Sequence, residues 1–210
     1  PTTIESALTR ARVGTMGQRM MKQTATVQAN IDYSDEKDAI AKFRTGMGLA
    51  PILIGMFANS PICDGEINGY RSFREHIWTD TDRNRSGLLK FAFAPEASFA
   101  HYVEYALDVP MYFIIRNKNY IDMTHITFRQ FLQYGHNGER ATIEDWGDHL
   151  TTLFPETRIK RYIEIRSVDG TLRRPITDLT GKLGNAWVTG RGSRSPNPDG
   201  LSVNTFGCQI

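Results

Sequence analysis

Residues 24–33 alternate without a fault. Thr24, Thr26, Gln28, Asn30 and Asp32 fall on one side, and Ala25, Val27, Ala29, Ile31 and Tyr33 on the other. A period of two places successive side chains on opposite faces and defines a strand. Its apolar side needs a helix or a second sheet to cover it. Its polar side carries hydroxyls and amides instead of the Lys, Glu and Arg usual on a wetted face. Such groups suit hydrogen bonding to a polar ligand in a semi-enclosed site, although threonine also favours strands for its own sake.

The segments that follow supply the cover. Ser34 offers an N-cap oxygen, Asp35 and Glu36 suit the positive first turn, and Ile40, Phe43, Met47 and Ala50 recur at helical spacing. This helix is expected to break near Pro51. Residues 63–69 read as a surface loop, and residues 69–82, dense in charged and aromatic side chains with no dominant period, read as a site loop. Tyr102, Tyr105, Ala106 and Val109 predict a short helix closed by Pro110, followed by a hairpin turning at residues 116–119. Phe128, Phe131 and Leu132 predict another helix, and Thr142 with Asp145 forms a capping box ahead of Trp146, Leu150 and Leu153. Residues 158–166 read as one strand, with Ile159, Ile163 and Ile165 on one face and Lys160, Tyr162, Glu164 and Arg166 on the other. Two strands with one apolar face each make an α+β fold, an antiparallel sheet with helices packed on one side, the economical architecture.

Composition sets outer limits. The chain has 210 residues, 40% of them hydrophobic, and no apolar run long enough for a membrane helix. With no basic, apolar start resembling a signal peptide, the expectation is a cytoplasmic protein without a membrane partner. Two cysteines, Cys63 and Cys208, have neither metal nor redox spacing. Charge is uneven: residues 170–210 hold five basic and two acidic side chains and seven of the 18 glycines. They form no apolar stripe, so residues 1–169 are expected to be the folded part and residues 170–210 a poorly ordered tail. Its dispersed charges lack interleaved aromatics and do not make a nucleic-acid site.

Three clusters carry possible chemistry. The first is the polar strand face. The second is Glu164 with Arg166, two residues apart on one face: either a carboxylate for Mg²⁺ beside a fork for a substrate carboxylate, or a cross-strand salt bridge. The third is Arg71, Arg74, His76 and Trp78, where guanidinium groups suit an anionic substrate and the indole a pocket wall. His76 is a candidate base there, and Asp80 and Asp82 are either water-mediated metal contacts or turn caps.

Several blocks occurring in order now identify a resemblance. They are Met20-Met21 and residues 24–30 (Thr-Ala-Thr-Val-Gln-Ala-Asn), residues 57–61 (Phe-Ala-Asn-Ser-Pro), residues 76–82 (His-Ile-Trp-Thr-Asp-Thr-Asp) and residues 105–112 (Tyr-Ala-Leu-Asp-Val-Pro-Met-Tyr). Asp145-Trp146, residues 149–155 (His-Leu-Thr-Thr-Leu-Phe-Pro) and residues 161–166 (Arg-Tyr-Ile-Glu-Ile-Arg) complete the series. Together they resemble glutamate-cysteine ligase of the plant and proteobacterial type, from about Leu8 to about Val168. The resemblance implies part of a glutamine-synthetase-like catalytic domain, a curved antiparallel sheet with its concave polar face toward the substrates. The activity it implies opens glutathione biosynthesis. ATP phosphorylates the γ-carboxylate of glutamate, the cysteine amine attacks the acyl phosphate, and phosphate leaves. Glutamate, cysteine and ATP are then the partners, and ATP with Mg²⁺ the cofactors.

Carried over by position, the resemblance makes Glu164 a metal carboxylate and Arg166 a catalytic arginine serving substrate or phosphate. It places Gln28 where related ligases have a metal-binding histidine. Thr26, Asn30, Arg74, Trp78 and Tyr112 become substrate contacts. The Glu-rich strand that supplies most metal carboxylates in the family has no counterpart in this sequence, and residues 170–210 do not resemble the family. The chain by itself is therefore expected to have little or no ligase activity. Two alternatives stay open: a ligase using another amine acceptor, and a non-catalytic interaction fragment.

Overall fold

The computed structural model describes residues 14–170 and 201–206. Its centre is a four-stranded antiparallel sheet. In sheet order the strands are β10 (Leu201–Phe206), β1 (Thr26–Ile31), β9 (Ile163–Asp169) and β8 (Thr157–Ile159). Of the tail expected to be poorly ordered, Leu201–Phe206 pairs with β1 as an edge strand, and the remainder lies outside the described residues.

Helix α1 (Gly17–Gln23) leads into β1, and α2 (Glu36–Met56) follows it. The N-cap of α2 is Asp35, one residue later than expected, because the Asp35 carboxylate accepts the Asp38 backbone N–H at 2.9 Å. Nor does Pro51 end the helix, which runs on to Met56. Ala39, Ile40, Phe43, Gly46, Met47, Ala50 and Leu53 are all buried along one stripe of it. That burial outweighs a proline cost of about 3 kcal/mol. Val27, Ala29, Ile31, Ile165 and Val168 from the sheet pack against Leu53, and Phe43 and Met47 share a second cluster with Ile163. The apolar sheet face is thus covered as the alternation requires. Gly46 permits the close approach, since a Cβ there would lie 2.7 Å from Thr157 Oγ1.

Residues 158–166 are not one strand. The chain folds back at residues 160–162, and Ile159 pairs with Ile163 and Arg158 with Glu164. A three-residue turn preserves the parity of facing positions, so the isoleucines keep a period of two straight across the bend, and the sequence offers no Gly or Asn to mark it.

Two further stretches read as loops have regular structure. Residues 63–69 contain most of a small hairpin, β2 (Ile62–Cys63) with β3 (Glu66–Ile67), turning through Asp64 and Gly65 at φ 53° and 83°. Residues 69–82 contain α3 (Phe73–Thr79), whose N-cap Ser72 accepts the Glu75 N–H at 3.2 Å. Beyond α3 come β4 (Ser86–Gly87), a 3₁₀ turn at Lys90–Phe93, and α4 (Phe99–Asp108). The expected hairpin follows as β5 (Phe113–Arg116) and β6 (Asn119–Asp122), then α5 (Phe128–Tyr134), α6 (Ile143–Thr151) and β7 (Phe154–Pro155), which pairs in parallel with β4. The Thr142 and Asp145 capping box forms as read.

Candidate active site

Both faces of β1 and β9 are buried. On the polar face Gln28 and Asn30 are each 4% exposed, Glu164 2%, Arg158 7% and Arg166 9%. A β-bulge between Val27 and Ala29 shifts the register so that Asp169 joins this face opposite Thr26. The Thr26 hydroxyl serves the bulge itself, donating to the Val168 carbonyl at 2.7 Å.

Glu164 is the electrostatic centre. One oxygen accepts from Arg158 Nε at 2.8 Å and Arg166 Nη1 at 3.1 Å, and the other from Lys160 Nζ at 2.8 Å. Burial alone would raise this carboxyl, but Arg158, Lys160 and Arg166 outweigh it and hold it below the ordinary glutamate range. Arg166 moves the other way: burial, then the neighbouring Arg158 charge, bring it down to about 10. It is still cationic at neutral pH.

The resemblance implies Mg²⁺ on Glu164 and Gln28, and the donors present do not fit it. Glu164 is a single carboxylate with both oxygens engaged by cations. Among the described residues no group of three or more His, Cys, Asp or Glu side chains is placed to hold a metal. Asp80 and Asp82 make turn and segment contacts instead, Asp80 accepting the Thr15 N–H at 3.0 Å and Asp82 the Asn84 N–H at 3.0 Å.

Helix α3 brings Arg74 and Trp78 to this face. Arg74, 5% exposed, donates from Nη2 to the Arg166 backbone carbonyl at 2.9 Å, which ties its guanidinium to β9. Its guanidinium lies 5.7 Å from the Trp78 ring. The helix is anchored by Asp169, whose carboxylate accepts the hydroxyls of Ser60 and Ser72, each at 2.7 Å. Two buried donors, Arg74 Nε and Trp78 Nε1, have no hydrogen-bond partner among the described residues. Unmet donors of this kind are costly unless something else satisfies them.

The aromatic wall continues through a residue the sequence reading missed. Phe154 meets Trp78 edge to face at 5.8 Å, takes the Arg166 guanidinium over its ring at 5.7 Å, and packs with Tyr112. Arg158 was missed as well, although its even-numbered position put it on the face of Glu164. His76 stacks on Tyr70 at 4.0 Å. The Cys63 thiol is pushed up by burial and by Asp64, which disfavours its reactive thiolate.

The polar face thus carries buried arginines beside aromatic rings, groups of the kind that suit a small anion. Comparison with known proteins makes the assignment specific: the family described as glutamate-cysteine ligase family 2 matches residues 3–179, and the chain belongs to it. It is 56% identical over 163 residues to the chloroplastic glutamate-cysteine ligase B of rice (Oryza sativa subsp. japonica), covering 76% of this chain and 33% of that protein. Against the chloroplastic enzymes of Medicago truncatula and Arabidopsis thaliana it is 54% identical over 162 residues, 76% of this chain and 32% and 31% of theirs. The chain therefore spans about a third of the length of these relatives. Their chloroplastic names overturn the expectation of a cytoplasmic protein. That expectation used the first residues of a sequence matching only a third of its relatives, and such residues are no guide to compartment.

Proposed function

We propose that this chain provides the glutamate-binding part of a plastid glutamate-cysteine ligase, and that Arg74 and Arg166 receive the anionic substrate. The observation that carries the reading is the buried Arg74 guanidinium, tied to the Arg166 backbone and lying beside Trp78, with Arg74 Nε and Trp78 Nε1 lacking partners among the described residues. Arg166 commits one nitrogen to Glu164, which orients the rest of its fork. Hydrogen bonds from buried guanidinium groups to a carboxylate contribute about 1.5–3 kcal/mol each. Thr26, Gln28 and Asn30 form the floor, and Trp78 and Tyr112 the walls.

In the complete ligase ATP activates the γ-carboxylate and the cysteine amine displaces phosphate, with Mg²⁺ as the family's metal. The described residues of this chain give Mg²⁺ no site, and their share is to bind and orient glutamate. Arg166 stays charged through neutral pH and is suited to the charge that develops as the γ-carboxylate is phosphorylated. Calorimetric titration of L-glutamate into the 210-residue chain tests the reading. Saturable binding that L-leucine does not reproduce is expected, weakened at least tenfold by Arg74→Leu in protein that remains folded. No binding of glutamate at 10-millimolar levels, on the order of the weakest useful affinity, overturns it.

A further inference from the structure

The most deeply buried charge in the described structure lies away from the sheet. Arg85 is 1% exposed, and every nitrogen of its guanidinium is engaged. Nε donates to Asp82 Oδ2 at 2.6 Å, Nη1 to Thr152 Oγ1 at 2.9 Å, and Nη2 to the Pro110 carbonyl. The flat face of the group sits 3.6 Å from the centre of the Tyr112 ring. Burying a guanidinium is costly unless it is fully paired, and an apolar side chain would fill the same volume. A fork of fixed donors does what no apolar residue can: it joins three segments distant in sequence at set directions.

Those segments share a relationship. Pro110 lies two residues before Tyr112, and Thr152 two residues before Phe154. The Arg85 backbone completes the pattern, its carbonyl accepting the Phe154 N–H at 2.7 Å where β7 pairs with β4. Tyr112 and Phe154 are packed together, and Phe154 touches both Trp78 and Arg166. Arg85 thus grips the chain just ahead of each of two aromatic residues and also supports one of their rings from beneath.

We infer that Arg85 is a positioning residue that sets the Tyr112 and Phe154 rings as one wall of the glutamate pocket. The inference rests on the proposed function, since it takes Tyr112 as a pocket wall. Arg85 does not touch the substrate. Its effect reaches glutamate through the placement of the wall, so its loss lowers affinity beyond what loss of stability explains.

The test measures L-glutamate affinity of the full chain by calorimetry, alongside ¹⁹F spectra of chain containing 3-fluorotyrosine, with the Tyr112 signal assigned from Tyr112→Phe. Arg85→Met is expected to raise the dissociation constant at least tenfold and to shift the Tyr112 resonance. Arg85→Lys keeps a charge beneath the ring and recovers part of both effects. Thr152→Val, a milder change that removes one acceptor, gives about a threefold loss if Arg85→Met does not fold. Met47→Ala, a truncation in the α2 core, lowers the melting temperature without changing glutamate affinity or the Tyr112 signal. If the parent chain binds glutamate and the folded Arg85 and Thr152 variants bind it equally well, the positioning role is overturned and the proposed function stands. If the parent chain does not bind glutamate, the functional reading falls and takes the pocket role of Arg85 with it.

Discussion

Replacing Glu164 by glutamine is expected to destabilise the fold by about 3–5 kcal/mol, the usual loss when one partner of a buried ion pair is removed. Three cations surround this carboxylate: Arg158 and Arg166, themselves 7% and 9% exposed, and Lys160. Glutamine keeps the shape and loses the charge, leaving the arginines buried without the one carboxylate they pair with among the described residues. A loss of that size is a large share of the stability of an ordinary domain. Urea denaturation of the two chains at neutral pH measures it, and a difference below about 1 kcal/mol, the range of an exposed pair, contradicts the anchoring role. The same samples probe the metal. If millimolar Mg²⁺ raises the melting temperature of the parent chain but not of Glu164→Gln, the carboxylate is exchanging its arginines for the ion, and the fit described above is wrong.

Glu75→Gln is expected to act in the opposite direction, and only at higher pH. Burial, and then the neighbouring Glu156 carboxylate, push Glu75 up to about 7 from 4.5, against the pull of Arg74 at 3.8 Å. Between these two values the folded protein keeps a proton that the unfolded chain has released. The contribution of Glu75 to stability therefore falls as pH rises from 4.5 to 7, and its cost is complete above 7. Allowing for the quarter of this side chain that water still reaches, the cost is about 2 kcal/mol. Glutamine removes it. The variant should match the parent at pH 4 and unfold at higher urea at pH 8. Equal midpoints at pH 8, or a difference between variant and parent that does not widen between pH 5 and 7, contradict the raised value; the parent's own curve does not decide it, because buried His149, lowered to about 4, adds stability over the same range.

How far the sequence revealed this site depends on which signals are local. The face assignments on β1 were legible because a period of two needs no knowledge of neighbours, and Asn30 does lie opposite Glu164. The turn at residues 160–162 was not, since the parity of Ile159, Ile163 and Ile165 survives the bend. Pro51 misled for the reverse reason: its local penalty is real, but seven buried residues of α2 outweigh it. Arg74 and Trp78 could be named from their motif, whereas the helix presenting them was hidden in a stretch without dominant periodicity. Phe154, Arg158 and Arg85 act through contacts with residues far away or across a turn, and nothing beside them in the sequence announces those partners.

Membership in the ligase family follows from the match over residues 3–179, and the aligned segment covers 33% of rice ligase B. The most direct measurement is cysteine-dependent phosphate release from ATP and glutamate by a chimera of rice ligase B in which this chain's matching segment replaces the corresponding third, assayed beside the 210-residue chain alone. The account predicts turnover by the chimera within about tenfold of rice ligase B, equivalent to roughly 1.4 kcal/mol of transition-state stabilisation, and none by the chain alone. A chimera that folds, binds ATP and releases no phosphate would contradict it, as would ordinary turnover by the chain alone.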